Sequence, residues 1–134
     1  MTASPAAPPP ADVTMLLGDR QWHPVDPANP GSPVITALWG DPATGPYGAL
    51  MRVPAGFESP PHRHSSDERV IVISGSSVHW VDGESRETAT VLRAGDFMLM
   101  PAGLTTSARR PAMMTTAWSS LPWTANSTSN WPRP

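Results

Sequence analysis

The segment from Gly56 to Gly75 reads GFESPPHRHSSDERVIVISG and carries two histidines and a carboxylate at even positions, His62, His64 and Glu68. On an extended chain successive side chains alternate between faces. His62 and His64 therefore point the same way, and Glu68 keeps that parity while the chain stays extended. Two imidazoles and a carboxylate on one face form the facial set that holds a divalent transition metal (Fe, Mn, Zn or Ni) and leaves positions open for water or substrate. The chain has no Cys, so a metal must be taken by His and carboxylate, and disulfide and thiol chemistry are excluded. A lone His-x-His in a Pro-rich turn is more often a coincidence than a site. Here the flanking glycines and the following carboxylate weigh toward a site.

The elements that position these residues follow from the punctuation of the chain. Its 134 residues are the length of one domain, and 18 Pro and 10 Gly favour short strands joined by turns over a helical bundle. Strand-like runs recur at Val13–Leu17, Gln21–Val25, Val34–Trp39, Tyr47–Val53, Arg69–Ser74, Ser77–Val81, Thr88–Leu92 and Phe97–Met100. Asp82-Gly83 is a preferred hairpin pair and predicts a tip between residues 77–81 and 88–92, in a bulged or extended hairpin if the longer loop before Thr88 requires it. No stretch keeps a helical period over three turns. The pattern predicts an all-β protein, a sandwich or small barrel, over residues 12–103, preceded by a disordered Pro- and Ala-rich arm at 1–11. The formal net charge is −2 and every basic residue is Arg, which provides no electrostatic footprint for nucleic acid or an anionic membrane. No apolar run approaches a bilayer span, and no basic segment followed by an apolar one marks a signal peptide. The expectation is a soluble, cytoplasmic protein.

The spacing of Gly56, His62, His64, Glu68 and Gly75 resembles the first motif of the cupin family, G-x5-H-x-H-x3-E-x6-G, at every fixed position. The second motif, G-x5-P-x-G-x2-H, is matched by Gly95, Pro101 and Gly103, but Thr106 stands where its histidine should be. The preceding LWGDPATGPYGALMRVPAGF is similar to small cupins of the ChrR-like and DUF4437 type. The resemblance spans roughly Val34 to Gly103. It implies an antiparallel jelly-roll barrel with a metal inside, held by three His and one Glu, of which this chain supplies His62, His64 and Glu68. A neutral Thr hydroxyl is a poor ligand for these cations, so the site is expected to have more open positions and lower affinity.

Other residues read more plainly. Trp80 is read as core packing, His79 as a surface or outer residue rather than a ligand, and His23 as exposed. Tyr47 and Met51 share a face that could shape a pocket, although ordinary core is the simpler reading. Met98 and Met100 are expected inside as adaptable fillers. Glu58 and Asp67 could orient an imidazole, with a solvated loop carboxylate as the default. Arg109-Arg110 is too short a basic run for nucleic acid.

The barrel interior implies a pocket for a small organic molecule. One reading is a dioxygenase acting on an enolisable or phenolic substrate at the open metal face. Another is a non-catalytic sensor or ligand binder, and a third is a catalytically silent chain with an incomplete site. No general base can be assigned. Because cupin barrels pair, the resemblance also implies a homodimer.

The segment Leu104–Pro134 differs in character: it lacks Val, Ile, Phe, Tyr, Gly, Asp and Glu yet holds three of the six Trp. It is read as unassigned, leaving the barrel incomplete at its C-terminal strand, and two accounts of it stand. One is a divergent, disordered C-terminus; the other is translation out of frame. Deleting one base near the Leu104 codon turns Met113-Met114, Met114-Thr115 and Trp123-Thr124 each into Asp, and permits histidine at position 106. Sequencing the coding DNA is expected to show that histidine in the alternative frame; stop codons there overturn the frame reading.

Overall fold

The computed structural model describes residues 14–120. They form ten strands: β1 (His23–Pro24), β2 (Val34–Gly40), β3 (Tyr47–Val53), β4 (Glu58–His62), β5 (Glu68–Ser74), β6 (Ser76–Val81), β7 (Thr90–Arg93), β8 (Phe97–Met100), β9 (Thr106–Arg109) and β10 (Met114–Ser119). The pairings are antiparallel. One sheet runs β1-β2-β3-β10-β5-β8 and the other β4-β9-β6-β7. No α-helix occurs among the described residues, only single 3-10 turns at Leu17–Asp19 and Arg86–Thr88. No helix among them is long and apolar enough to cross a membrane.

Period-two alternation sets the inner face. On β5, Glu68, Val70 and Val72 are buried, while Ile71 and Ile73 face out. On β8, Met98 and Met100 line the interior, and Phe97 and Leu99 stay exposed. Val53, Val72, Leu92 and Met114 form the core between the sheets, with Met51, Phe57 and Met98 packed against them. Between β5 and β6 the chain turns at Gly75, φ +79°, where a Cβ would collide with the Met113 carbonyl. Only glycine fits that close approach.

Two expectations need correction. The segment after Gly103 is not devoid of strands: β9 and β10 lie in it, and β10 is hydrogen-bonded to both β3 and β5. The barrel therefore runs past residue 103. Ser, Thr and Ala supply these strands because their neighbours on both edges satisfy the backbone, and β-branched Thr suits a pleated surface. Of the two leading runs, residues 14–17 carry no strand and Gln21–Val25 contributes only His23–Pro24. Arg20 Nη2 donates to the Met15 carbonyl at 3.1 Å, holding this stretch as a turn. The expected β6–β7 hairpin forms in its extended version, with a connection that spans residues 82–89 and includes the 3-10 turn. Residues 1–11, expected to be a disordered arm, and residues 121–134 lie outside the described residues.

Met114 is 2% exposed and its neighbour Met113 is 63% exposed. Met114→Ala is expected to destabilise the fold by about 2–5 kcal/mol, and Met113→Ala by no more than about 0.5 kcal/mol. Denaturant unfolding of both variants checks that β10 is part of the barrel.

Candidate functional site

β4 ends at His62, and the chain crosses to β5 through residues 63–67. This crossing is stitched to the turn that precedes β9. Gly103 N–H donates to the His64 carbonyl at 2.9 Å, and Ala102 N–H donates to Asp67 Oδ1 at 2.9 Å. Asp67 is thus an exposed loop carboxylate and no imidazole anchor; it fastens the Pro101–Gly103 turn. Glu58 pairs with Arg86 at 2.6 Å and likewise does not orient a histidine.

His62 and His64 line a common cavity, their ring centroids 5.2 Å apart and the planes at 81°. His62 Nδ1 lies 2.9 Å from the Pro60 carbonyl. A carbonyl only accepts, so in the neutral ring Nδ1 carries the proton and Nε2 keeps its lone pair. His64 Nε2 is buried with no hydrogen-bond partner. Burial, and then the neighbouring His62, hold the His64 pKa below its ordinary value. Its ring lies 5.8 Å from that of Trp118, whose Nε1 donates to Thr116 Oγ1 at 2.7 Å.

Glu68 is 4% exposed. Its Oε2 accepts from the Tyr47 hydroxyl and its Oε1 from the Ser66 hydroxyl, each at 3.1 Å. Burial pushes its carboxyl pKa up, opposed by the bonds from Tyr47 and Ser66 and by the charge of Arg69. Burial, and then Glu68 itself, raise the Tyr47 phenol pKa in turn. Tyr47 and His64 also wall a second cavity that includes Glu68 and the loop of residues 42–46. The structure thus brings His62 and His64 together and leaves Glu68 bound to Tyr47 and Ser66. Among the described residues no group of three His, Asp or Glu side chains converges closely enough to hold a metal.

The main cavity measures about 480 Å³ and is lined mostly by apolar side chains, including Met51, Val53, Val72, Leu92 and Met98. Thr106 is 1% exposed, pairs with His62 across the β4–β9 ladder and faces this cavity. The position that the second motif reserves for histidine is therefore correctly placed but holds a hydroxyl, which lies 3.8 Å from Met100 Sδ. His79, expected as a surface or outer residue rather than a ligand, is not on the surface but lines the cavity, because β6 turns Ser77 and His79 inward. Trp80 is on the other face, beneath the Arg86 guanidinium 4.8 Å from its ring centroid. Parity on β6 was visible in the sequence, but the choice of face was not. Arg110 was missed because its segment was not read as extended; it shares parity with Thr106 and Ala108 and lines the same cavity.

Residues 13–131 match the model of a family described as a domain of unknown function, DUF4437. Similar solved structures include an acetylacetone dioxygenase from Acinetobacter johnsonii, 17% identical with a TM-score of 0.63, covering 90% of this chain and 79% of that one. An RmlC-like cupin protein from Ralstonia eutropha is 20% identical with a TM-score of 0.63, over 82% of this chain and 69% of that one. An RmlC-like cupin from Shewanella frigidimarina is 17% identical with a TM-score of 0.62, over 84% and 95%. At these identities the likeness is one of fold. A search of curated proteins finds no match.

His79 provides a test of the buried cavity. Burial, and then Arg110, lower its pKa, so the folded protein takes up its proton at lower pH than the unfolded chain, whose imidazole titrates near about 6.5. The stability His79 contributes is present above that value and lost as pH falls through the lower folded one. Between about pH 7.5 and about pH 5, the melting temperature of chelator-treated His79→Leu is expected to fall less than that of the parent.

Proposed function

The chain belongs to the DUF4437 family and has the cupin fold, and on that premise we propose that it binds one divalent transition metal, Fe, Mn, Zn or Ni, through His62, His64 and Glu68 and takes a small organic molecule in the adjoining cavity. The observation that carries this reading is the buried, unpartnered Nε2 of His64 beside His62. A buried ring nitrogen without a partner is costly, and a cation accepting its lone pair removes the cost. His62 is prepared for the same role by the Pro60 carbonyl, which holds the proton on Nδ1. Each Glu68 oxygen accepts one hydrogen bond and keeps a further lone pair, and to join the histidines the carboxylate must turn away from Tyr47 and Ser66, because the three side chains do not converge in the folded chain.

When bound, such an ion supplies a Lewis-acid centre and, for iron, the oxygen chemistry of a dioxygenase. The chain's own part is orientation and exclusion. Tyr47 holds a proton toward Glu68, Trp118 packs beside His64, and the methionines and valines keep the chamber apolar. The fold likeness to an acetylacetone dioxygenase supports a dioxygenase acting on a small enolisable substrate. A second reading, a non-catalytic ligand-binding or sensor cupin, is favoured by Thr106 in the fourth ligand position. The exposed apolar face of Ile71, Ile73, Phe97 and Leu99 supports pairing with a second copy of the chain.

Metal content after purification without chelator tests the ligands. His62→Ala and Glu68→Ala are each expected to lower affinity by at least about 10-fold, the scale that loss of an outer partner alone reaches, and His23→Ala to leave it unchanged. Thr106→His is expected to tighten binding. Full metal occupancy in the His62→Ala variant overturns the assignment.

A further inference from the structure

Arg110 is the cation inside the barrel that neither the fold nor the metal reading uses. It follows β9, and its backbone is tied on both sides: its N–H donates to the Phe57 carbonyl at 3.0 Å, and its carbonyl accepts from Gly56 N–H at 2.8 Å. The side chain lines the main cavity. Nη1 donates to Ser77 Oγ at 2.6 Å, and Nε is buried with no partner. Of the acidic side chains, Glu58 and Asp26 line the same cavity and Glu84 and Glu68 do not, and all four are engaged elsewhere. Glu58 pairs with Arg86, and Asp26 Oδ1 accepts from Ala28 N–H. Glu84 Oε2 accepts from Val81 N–H, and Glu68 is held by Tyr47 and Ser66. Burial alone lowers the Arg110 pKa, to about 10, with no carboxylate acting on it. It therefore stays charged at neutral pH.

A half-buried guanidinium whose Nε is shut off from water is costly to keep without a counter-charge. Around it stand two further donors. Ser77 is buried and, having accepted from Arg110, keeps its own proton to give; His79 Nε2 is buried, unpartnered and on the same wall. We propose that this part of the cavity is an anion subsite that takes the carboxylate of a small organic acid, gripped by Arg110, Ser77 and His79, with the acid's apolar body lying along the methionines and valines of the barrel. One cation in an apolar chamber balances one negative charge, so a monocarboxylate fits and a phosphate dianion leaves a charge unmatched. The proposal rests on the cavity holding a small molecule, and it does not depend on the metal.

Calorimetric titration of hexanoate and hexanamide into chelator-treated protein tests it, with benzoate and benzamide as a second pair. The acid is expected to bind at least about tenfold more tightly than its amide, as hydrogen bonds to a charged group provide. The preference is expected to survive in His62→Ala, to vanish in Arg110→Gln and to persist in part in Arg110→Lys. Arg110→Met removes a half-buried unpaired charge, so its melting temperature is expected to be no lower than the parent's; a clear fall makes the guanidinium a structural group and overturns the subsite. Equal binding of acid and amide by the parent overturns the anion subsite alone. Binding of neither overturns it together with the small-molecule reading of the cavity. An acid preference that disappears in His62→Ala but not in Arg110→Gln assigns the carboxylate to the histidines and overturns the role of Arg110.

Discussion

The insertion of β10 between β3 and β5 is the constraint on which the rest of the molecule depends. β3 and β5 carry Tyr47 and Glu68, yet neither pairs with the other; β10 hydrogen-bonds to both. Its last residues set the spacing: Ser119 pairs with Arg69 and Gly48, and Ser120 N–H donates to the Tyr47 carbonyl. Across that gap the Tyr47 hydroxyl reaches the Glu68 carboxylate, and Trp118 comes up beside His64. Met114 at the other end of the strand closes the core against Val53 and Val72. A backbone satisfied on both edges does not need large β-branched side chains to hold its place, and so Thr, Ala and Ser serve here.

The interior is mostly apolar and carries two groups of polar side chains, with His79 within electrostatic reach of both Arg110 and His62. In one group His62, His64 and Thr106 meet where β4 and β9 pair; in the other, Arg110, Ser77 and His79 gather on β6 and the end of β9. Each group holds polar atoms left without partners in the folded chain: Nε2 of His64 in the first, and Nε2 of His79 with Nε of Arg110 in the second. Such atoms lower the stability of a small barrel unless a bound species completes them. A ligand that satisfied both groups would therefore bind and stabilise through the same contacts.

Much of this was legible along the chain. Gly56, His62, His64, Glu68 and Gly75 announced a cupin loop, and Met98 and Met100 were expected inside. The second half of the barrel was not legible, because Ser, Thr and Ala carry little hydrophobic pattern, and their strands are specified by the edges they join rather than by their own side chains. The same loss hid Arg110, whose inward direction follows only once residues 106–110 are read as extended. The inward face of His79 was undecided for a different reason: strand parity separates two sets of residues but does not say which set faces in.

What the sequence by itself determined is therefore local: turns at Gly and Pro, period-two faces, the shared face of His62 and His64, and the absence of thiol chemistry. These depend on backbone geometry between near neighbours, which residue type controls directly. Only the tertiary structure decided which sheet each strand joins, that Glu68 meets Tyr47 and Ser66, that Thr106 stands against His62, and that Arg110 is half-buried beside Ser77 without a carboxylate. Those facts rest on register between strands far apart in sequence, where one residue of slip turns every side chain to the other face.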